Sequence, residues 1–428
     1  MIRPVLGTIG TRIVVMASNL LVIAVAGHAL GTEGLGEIGL IVLGITLIMV
    51  LNNVIGGGAL VYLVPRLPAR TLLLPAYLWA VFTALVAAAV MHTLPLVPEG
   101  LEWHVVLLAF IQSLYTIHFG ILLGQERIRR YNTISVLQSI VLLGAFVSLT
   151  SAAENAHVGH FVTASYLSFL TSLVASAWAI RRPGKSPSTP GPWAWGAMFR
   201  HGGFTQAANL LQLLNYRLAY YLIDLYRGTS ALGLYTVANQ LAESAWLVPK
   251  SLGMVLHVRV SNLEEVDRQR DLTLAIMKAA TAFALLVTLV ILMLPDLLFQ
   301  WVFGPEVVGV VPLVLLLAPG LVAMAASQAL SHWSSGTGRH HHNAIGSGIG
   351  LCFTLVAGPL LIPTHGLDGA ALAATLAYCA NTIYQLIVFM RLTRTPWTML
   401  LPRRSDLELV RRAWKTVRGG KATVPGIE

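Results

Sequence analysis

The sequence predicts an all-α integral membrane protein of about twelve transmembrane helices, since each bilayer crossing needs about 20 apolar residues. Apolar residues make up 56% of the chain and charged residues 11%, whereas a soluble domain carries about 25% charged residues. The apolar residues are gathered into long runs, and basic residues collect in every second connector between those runs. These features exclude a soluble globular protein, because too few charges remain to cover a surface that faces water.

The apolar runs follow one another with short connectors. Polar and apolar residues do not alternate within them, which excludes a transmembrane β-barrel. The first run lacks a small-residue cleavage site, so we expect no cleavable signal peptide. The predicted spans 1 to 12 are Ile13–Leu30, Ile38–Tyr62, Leu72–Met91, Trp103–Leu123, Ile134–Ser151, Phe161–Ile180, Phe204–Ile223, Gly233–Val258, Leu272–Leu294, Val307–Leu330, Ala344–Ile362 and Gly369–Phe389.

The connectors carry charges of alternating sign, which predicts how the chain is oriented. Cytoplasmic loops keep an excess of Lys and Arg. Basic residues lie at the N-terminus, in the tail and in the connectors after spans 2, 4, 6, 8 and 10, while the other connectors hold acids and one basic residue, Arg227. We therefore expect both termini in the cytoplasm. The net charge of +10 then reflects topology and attraction to anionic membrane lipids, not nucleic acid binding.

A Pro/Gly/Ser-rich linker divides the spans six and six, and short motifs repeat on its two sides. Gly-Thr-x-x-Leu-Gly follows span 1 at Gly31–Gly36 and span 7 at Gly228–Gly233. A second pair, with Gly, Arg and Asn in order, leads into spans 5 and 11 around Arg127 and Arg339. We expect an N-terminal lobe (1–182), a cytoplasmic linker (183–199), a C-terminal lobe (200–395) and a basic tail (396–428). Parallel six-helix repeats of this kind are typical of alternating-access transporters.

Three spans carry polar or charged faces that lipid would not tolerate. A central Arg, Lys or Asp costs roughly 2.5–3.5 kcal/mol on insertion scales, so such residues face a cavity or each other. The functional interpretation is a hydrated cavity with a cationic floor, and the alternative is that Glu243 pairs with Lys250 or Arg217 in a packed interface. The candidate substrate-binding residues are Arg12 and Asn19 on span 1, Asn209, Gln212, Tyr216, Arg217 and Tyr220 on span 7, and Asn239, Glu243, Trp246 and Lys250 on span 8.

Other features carry less functional weight. Three consecutive histidines, His340 to His342, lack a spaced Cys or acid, so we expect a solvated loop and no metal site. The two cysteines fall inside apolar runs, so we expect no disulfide. Pro249 is a candidate kink in span 8. The tail from Ser405 has the pattern of an amphipathic helix on the inner leaflet, or of a solvated basic tail.

Several stretches of the second half resemble the Wzx-type polysaccharide (O-antigen) flippases of the multidrug/oligosaccharidyl-lipid/polysaccharide exporter superfamily. In this group many relatives have an acid two residues after the arginine of the Asn-Tyr-Arg motif. Here that position is Ala219, which puts ion coupling through that acid in doubt. The stretches are Asn209–Leu218 (NLLQLLNYRL), Leu232–Glu243 (LGLYTVANQLAE), Trp246–Pro249 (WLVP), Val258–Ser261 (VRVS) and Gly366–Ala373 (GLDGAALA).

The resemblance implies two lobes in the MATE arrangement around a cavity lined partly by spans 1, 2, 7 and 8. It implies a monomer in the bacterial inner membrane that flips a lipid-linked oligosaccharide, works with other polysaccharide-assembly proteins and has no cofactor beyond coupling to H⁺ or Na⁺. Arg12, Arg217 and Lys250 suit a diphosphate head, and the polar and aromatic side chains suit sugars.

Three other functions stay open. A cation-coupled multidrug exporter of the same superfamily would favour an acidic cavity, whereas basic residues outnumber acids here. A glycan polymerase or ligase needs catalytic groups on a substantial outer loop, and these connectors are short. A membrane scaffold without transport is the third. We expect no enzymatic activity.

Overall fold

The computed structural model describes residues 2–181 and 195–401, and the secondary structure in those ranges is helical without a strand. The predicted amphipathic tail helix and the linker residues 182–194 lie outside the described residues. Eight of the described helices are long and apolar enough to cross a membrane, and two of these hold a pair of spans each. Those eight helices account for ten of the predicted spans. Spans 7 and 8, which are more polar, bring the number to the predicted twelve.

The helices follow the predicted spans and extend beyond most of them. Spans 1 and 2 are merged in one helical run that Gly31 breaks with φ 68° and ψ −168°, and span 2 continues as a short helix after a second break at Gly57. The helices of the first half are Ile2–Gly56 (spans 1 and 2), Gly58–Leu63 (end of span 2), Ala69–Thr93, Glu102–Gly124, Ile128–Ala152 and Val158–Arg181.

In the second half, span 7 begins at Trp195, earlier than predicted. Spans 11 and 12 form one run broken at Gly366, with φ 61° and ψ −135°, as Gly31 breaks the run of spans 1 and 2. A short extra helix, Asp296–Phe303, lies between spans 9 and 10. The helices are Trp195–Arg227, Thr229–Ser244 and Leu247–Val260 (both span 8), Val266–Met293, Asp296–Phe303, Val310–Gly336 and His341–Thr393 (spans 11 and 12).

The turns before spans 5 and 11 have the same backbone geometry, as their repeated motif predicts. The Arg127 N–H donates to the Leu122 carbonyl at 2.7 Å, and the Arg339 N–H donates to the Ser334 carbonyl at 2.7 Å. The residue before each arginine has positive φ, 59° in the first half and 76° in the second. This is a left-handed helix end used twice at equivalent positions.

The two copies of the Gly-Thr-x-x-Leu-Gly motif contact each other. A Cβ added to Gly233 would lie 1.8 Å from the Thr32 carbonyl oxygen, and a Cβ added to Gly36 would lie 2.0 Å from the Thr229 carbonyl oxygen. Thr32 and Thr229 are the threonines of the two Gly-Thr-x-x-Leu-Gly copies, so each copy places its carbonyl on the last glycine of the other. Spans 2 and 8 thus meet backbone to backbone where they begin. We call this region, with the connectors after spans 1, 7, 9 and 11, the acidic end.

The chain forms two compact units that do not coincide with the sequence repeats. Unit 1 comprises Met1–Ala238, Pro295–Val310 and Ile362–Leu367, and unit 2 comprises Asn239–Leu294, Val311–Leu361 and Asp368–Glu428. Unit 1 therefore contains all of the first repeat together with span 7, the start of span 8 and two acidic-end segments of the second repeat. The six-plus-six lobe division stays a prediction from the sequence.

Candidate functional site

Span 7 carries the predicted polar face, and hydrogen bonds run along it. Gln212 Nε2 donates to Tyr216 Oη at 2.8 Å, and Arg217 Nη1 donates to Tyr220 Oη at 2.6 Å. Asn209 Nδ2 donates to Gln206 at 3.1 Å one turn earlier. These pairs are three or four residues apart, the spacing at which side chains on one helix meet. All five predicted span 7 residues therefore lie on one hydrogen-bonded face of unit 1.

Arg217 is the charged centre of this face. Its guanidinium carbon lies 5.0 Å from the centroid of the Tyr220 ring, so the tyrosine contacts the cation with both its hydroxyl and its ring. Tyr220 is buried, and it packs edge-on against Tyr235 of span 8 with centroids 5.8 Å apart. Arg217 itself is half-buried. A guanidinium positioned in this way is suited to a planar or tetrahedral anion such as a phosphate, because its N–H groups point outward in a rigid fork.

The two candidates on span 1 are both exposed, seven residues apart on one helical face. Arg12 lies near the start of the span and Asn19 two turns further on. In the same unit, the helix of span 7 passes close to span 2 at Gly202. A Cβ added to Gly202 would lie 1.7 Å from the Val54 carbonyl oxygen.

On span 8, in unit 2, the predicted stripe is interrupted. Asn239 Nδ2 donates to Glu243 Oε1 at 2.9 Å, so this pair is in contact. The helix then breaks at Ala245 and Trp246, one turn before Pro249, because a proline has no N–H to bond the carbonyl four residues earlier.

Trp246 lies in the interior of unit 2. Its indole N–H donates to the Leu321 carbonyl at 3.0 Å, and its side chain is 1% exposed. Lys250 is exposed, with Nζ 5.7 Å from the Trp246 ring centroid. Trp246 therefore supports the backbone that carries Lys250, and its ring lies against Tyr378 where it has no solvent-facing surface for a sugar.

Two buried polar networks were not predicted from the sequence. In unit 1, His118 Nε2 lies 2.6 Å from Tyr77 Oη and its Nδ1 lies 2.8 Å from Ser176 Oγ, which joins spans 3, 4 and 6. In unit 2, Ser327, Asn381 and Gln385 bond to one another in a closed triangle at 3.1–3.2 Å. Such satisfied networks specify how helices pack, and single polar residues inside apolar runs gave no spacing signal.

Span 2 also contains a buried feature that was not predicted. Asn52 is fully buried, and neither its Oδ1 nor its Nδ2 has a hydrogen-bond partner in the described part of the chain. It stands one turn before the break at Gly57. Lys278, half-buried in span 9, is a further charge inside a span and was likewise not predicted as a candidate.

Within the described residues, the histidine run and the two cysteines do not form a metal site or a disulfide. No group of three or more His, Cys, Asp or Glu side chains there is arranged to hold a metal ion. His342 Nδ1 lies 3.0 Å from Tyr384 Oη, which ties the run to span 12. Cys352 and Cys379 are free thiols.

The fold matches solved membrane transporters over nearly the whole chain. One is an inward-facing multidrug resistance MATE family transporter of the MOP superfamily, at TM-score 0.66 and 15% identity, covering 88% of this chain and 95% of that one. Another is the lipid II flippase MurJ in an inward closed conformation, at TM-score 0.70 and 13% identity, covering 97% and 93%. A third is a mutant form of the Vibrio cholerae MATE transporter VcmN, at TM-score 0.59 and 14% identity, covering 93% and 95%.

No family model matches the sequence, and no curated protein matches it. The structural matches define the fold class: an all-α, multi-pass membrane protein with the fold shared by MATE transporters and MurJ. The predicted fold is confirmed. Proteins with this fold include both multidrug resistance transporters and a lipid II flippase, so substrate and mechanism depend on the site.

Proposed function

We propose that this protein is a flippase that moves a polyprenyl-diphosphate-linked oligosaccharide from the cytoplasmic to the outer leaflet of the bacterial inner membrane. Transport would proceed by alternating access and supply the assembly of a cell-surface polysaccharide. The Wzx-type motifs of the sequence favour this substrate class, and a lipid II flippase has the same fold.

The observation that carries the proposal is the polar face of span 7. It presents one half-buried cation, Arg217, among the amides and phenols of one helix face. A diphosphate needs a cation with several N–H donors, while sugar rings need amide donors and aromatic faces. Arg12 and Lys250, both exposed, are the further candidate phosphate ligands.

Orientation and partners follow the same proposal. The basic connectors would face the cytoplasm, where the glycan is built, and the acidic end would face outward. The protein would act as a monomer beside other polysaccharide-assembly proteins. If transport is coupled to H⁺ or Na⁺, Glu243 is the candidate acid, since its carboxylate is bonded by Asn239 within span 8.

The alternative is a cation-coupled multidrug exporter, and the match to MATE transporters favours it. The polar face of span 7 argues against it, because its one charged side chain is a guanidinium that would repel a cationic drug. Glu243 is the group that such a drug would need.

Deletion of the gene in its own bacterium separates the two functions, whichever glycan that bacterium makes. A flippase deletion is expected to lose surface polysaccharide and to accumulate a lipid-linked glycan in the membrane fraction, as read by mass spectrometry of extracted lipids. Unchanged lipid-linked glycans together with greater sensitivity to cationic drugs would favour the exporter instead.

A further inference from the structure

A carboxylate from the second half caps the start of span 2 at the acidic end. Glu306 follows the short helix Asp296–Phe303. Its Oε2 accepts the Thr32 backbone N–H at 2.9 Å and the Thr32 hydroxyl at 3.1 Å. The chain can offer this N–H because Gly31 takes φ 68°, and a Cβ at Gly31 would lie 2.5 Å from the same oxygen. The positive φ therefore favours glycine at this position.

The electrostatics favour an ionised carboxylate at this position. The first N–H groups of a helix lack partners within the helix and carry a partial positive charge, so an anion there is stabilised. The Thr32 backbone N–H, with the Thr32 hydroxyl second, lowers the pKa of Glu306 from its ordinary value of 4.5. Glu306 thus carries its full charge at neutral pH.

Two further hydrogen bonds join the two sequence halves at this end. Ser230 Oγ lies 2.7 Å from Thr32 Oγ, and because the Thr32 proton is directed at Glu306, Ser230 is the donor. His28 Nε2 lies 3.0 Å from the Trp301 carbonyl oxygen. Arg227, by contrast, bonds the carbonyls of Ile362 and Pro363, which belong to its own half.

We propose that Glu306 is a latch that holds the acidic end closed by binding Thr32, the first residue after the break at Gly31, and that it must release Thr32 before this end can open. The latch rests on the proposed transport cycle, in which a large headgroup leaves through this end. When Glu306 releases Thr32, the two Gly-Thr-x-x-Leu-Gly copies, which are in backbone contact in the closed state, separate.

Cysteine accessibility tests the latch without measuring transport. In a background with Cys352→Ala and Cys379→Ala, a reporter Thr236→Cys sits one turn inside the Gly233 contact, where Thr236 packs on Gly39. Leu297→Cys, at a side chain 72% exposed on the acidic end, serves as reference. Sealed vesicles receive an impermeant maleimide on the face at which the reference reacts, and the reporter rate is divided by the reference rate.

Glu306→Gln is expected to raise this ratio roughly threefold or more, the effect of weakening one charge-assisted hydrogen bond at an exposed side chain. Glu33→Gln is the matched control, because it removes an equal charge from an exposed side chain in the connector that the latch binds. Gly36→Ala, which forces the two copies apart, should raise the ratio as well. If the Glu306→Gln ratio stays within twofold of the Glu33→Gln ratio, the latch is wrong, whatever the outcome of flipping assays. Glu306→Asp, which keeps the charge but is shorter, gives an intermediate ratio and serves if Glu306→Gln folds poorly.

Discussion

Arg217 is the residue on which the proposed substrate depends most. Replacing it with Ala removes a guanidinium that Tyr220 holds in place at 2.6 Å. We expect the deletion strain carrying Arg217→Ala to make at most about one tenth of the surface polysaccharide made with the wild-type protein. The reason is that a charge-assisted bond to a phosphate contributes about 1.5–3 kcal/mol. Arg200→Ala is the matched control, since Arg200 is exposed at the basic start of the same helix. Full restoration by an Arg217→Ala protein of normal abundance would contradict the assignment.

Glu306 sets the pH dependence of the acidic end. Its pKa is lowered in the closed state, so the stabilisation is present above pH 4.5 and is lost as pH falls through the lowered value. We expect the Thr236→Cys labelling ratio to be flat between about pH 6 and 8 and to rise below about pH 4.5. The rise should be absent in Glu306→Gln, which separates it from the other titratable groups of this end, His28, Glu33, Glu37, Asp224, Asp296, His365 and Asp368. A rise near neutral pH would contradict control by this carboxylate.

The contact between spans 2 and 8 makes a prediction about packing at the scale of elements. A methyl group at Gly36 or Gly233 would overlap a backbone carbonyl of the other span, and backbone cannot move aside as a flexible side chain can. We expect Gly233→Ala to destabilise the protein by about 1–3 kcal/mol in thermal unfolding in detergent. Gly348→Ala is the control, because a Cβ there meets nothing within 4 Å. Equal melting temperatures for the two variants would exclude the close contact.

The buried network of spans 3, 4 and 6 makes a second prediction at this scale. Tyr77→Phe leaves a ring nitrogen of His118 without its hydroxyl, and an unsatisfied buried polar atom costs about 1–3 kcal/mol. We expect a lower melting temperature with little effect on surface polysaccharide once the protein is folded. Tyr62→Phe, at a side chain that is 45% exposed, is the control. A large loss of polysaccharide at unchanged stability would instead give the network a functional role.

The sequence predicted those elements that leave a local pattern of hydropathy or a repeated motif. The twelve spans follow from hydropathy, and the repeated turns around Arg127 and Arg339 follow from matched motifs. The break at Gly57 was missed because the apolar run passes through it. The reciprocal contact of Gly36 and Gly233 could not be predicted, since it depends on how two distant helices meet.

The candidate site was predictable to a similar extent. The face of span 7 was found because its polar residues recur at helical spacing. Trp246 was predicted on the same stripe as Lys250, and its side chain is 1% exposed, with its indole N–H bonded to the Leu321 carbonyl. Glu306 gave no signal in sequence, because its partner Thr32 is 274 residues away.

At the scale of the whole molecule, the proposed transport cycle requires the acidic end to open. Thr32 and Ser230 have their hydroxyl oxygens 2.7 Å apart, so Thr32→Cys with Ser230→Cys in the cysteine-free background should form a disulfide. We expect oxidation to abolish flipping in vesicles and reductant to restore it. Each single cysteine variant should be insensitive to oxidation. Undiminished flipping by the cross-linked protein would show that this end need not open.

The central claim is that the protein flips a lipid-linked glycan. The most direct measurement uses the lipid-linked glycan that accumulates in the deletion strain, labelled and placed in vesicles that contain the purified protein. Its appearance in the opposite leaflet should exceed that in empty vesicles, and it should fall to near the empty-vesicle rate with Arg217→Ala but not with Arg200→Ala. A rate equal to that of empty vesicles, with correctly folded protein present, would contradict the proposed function.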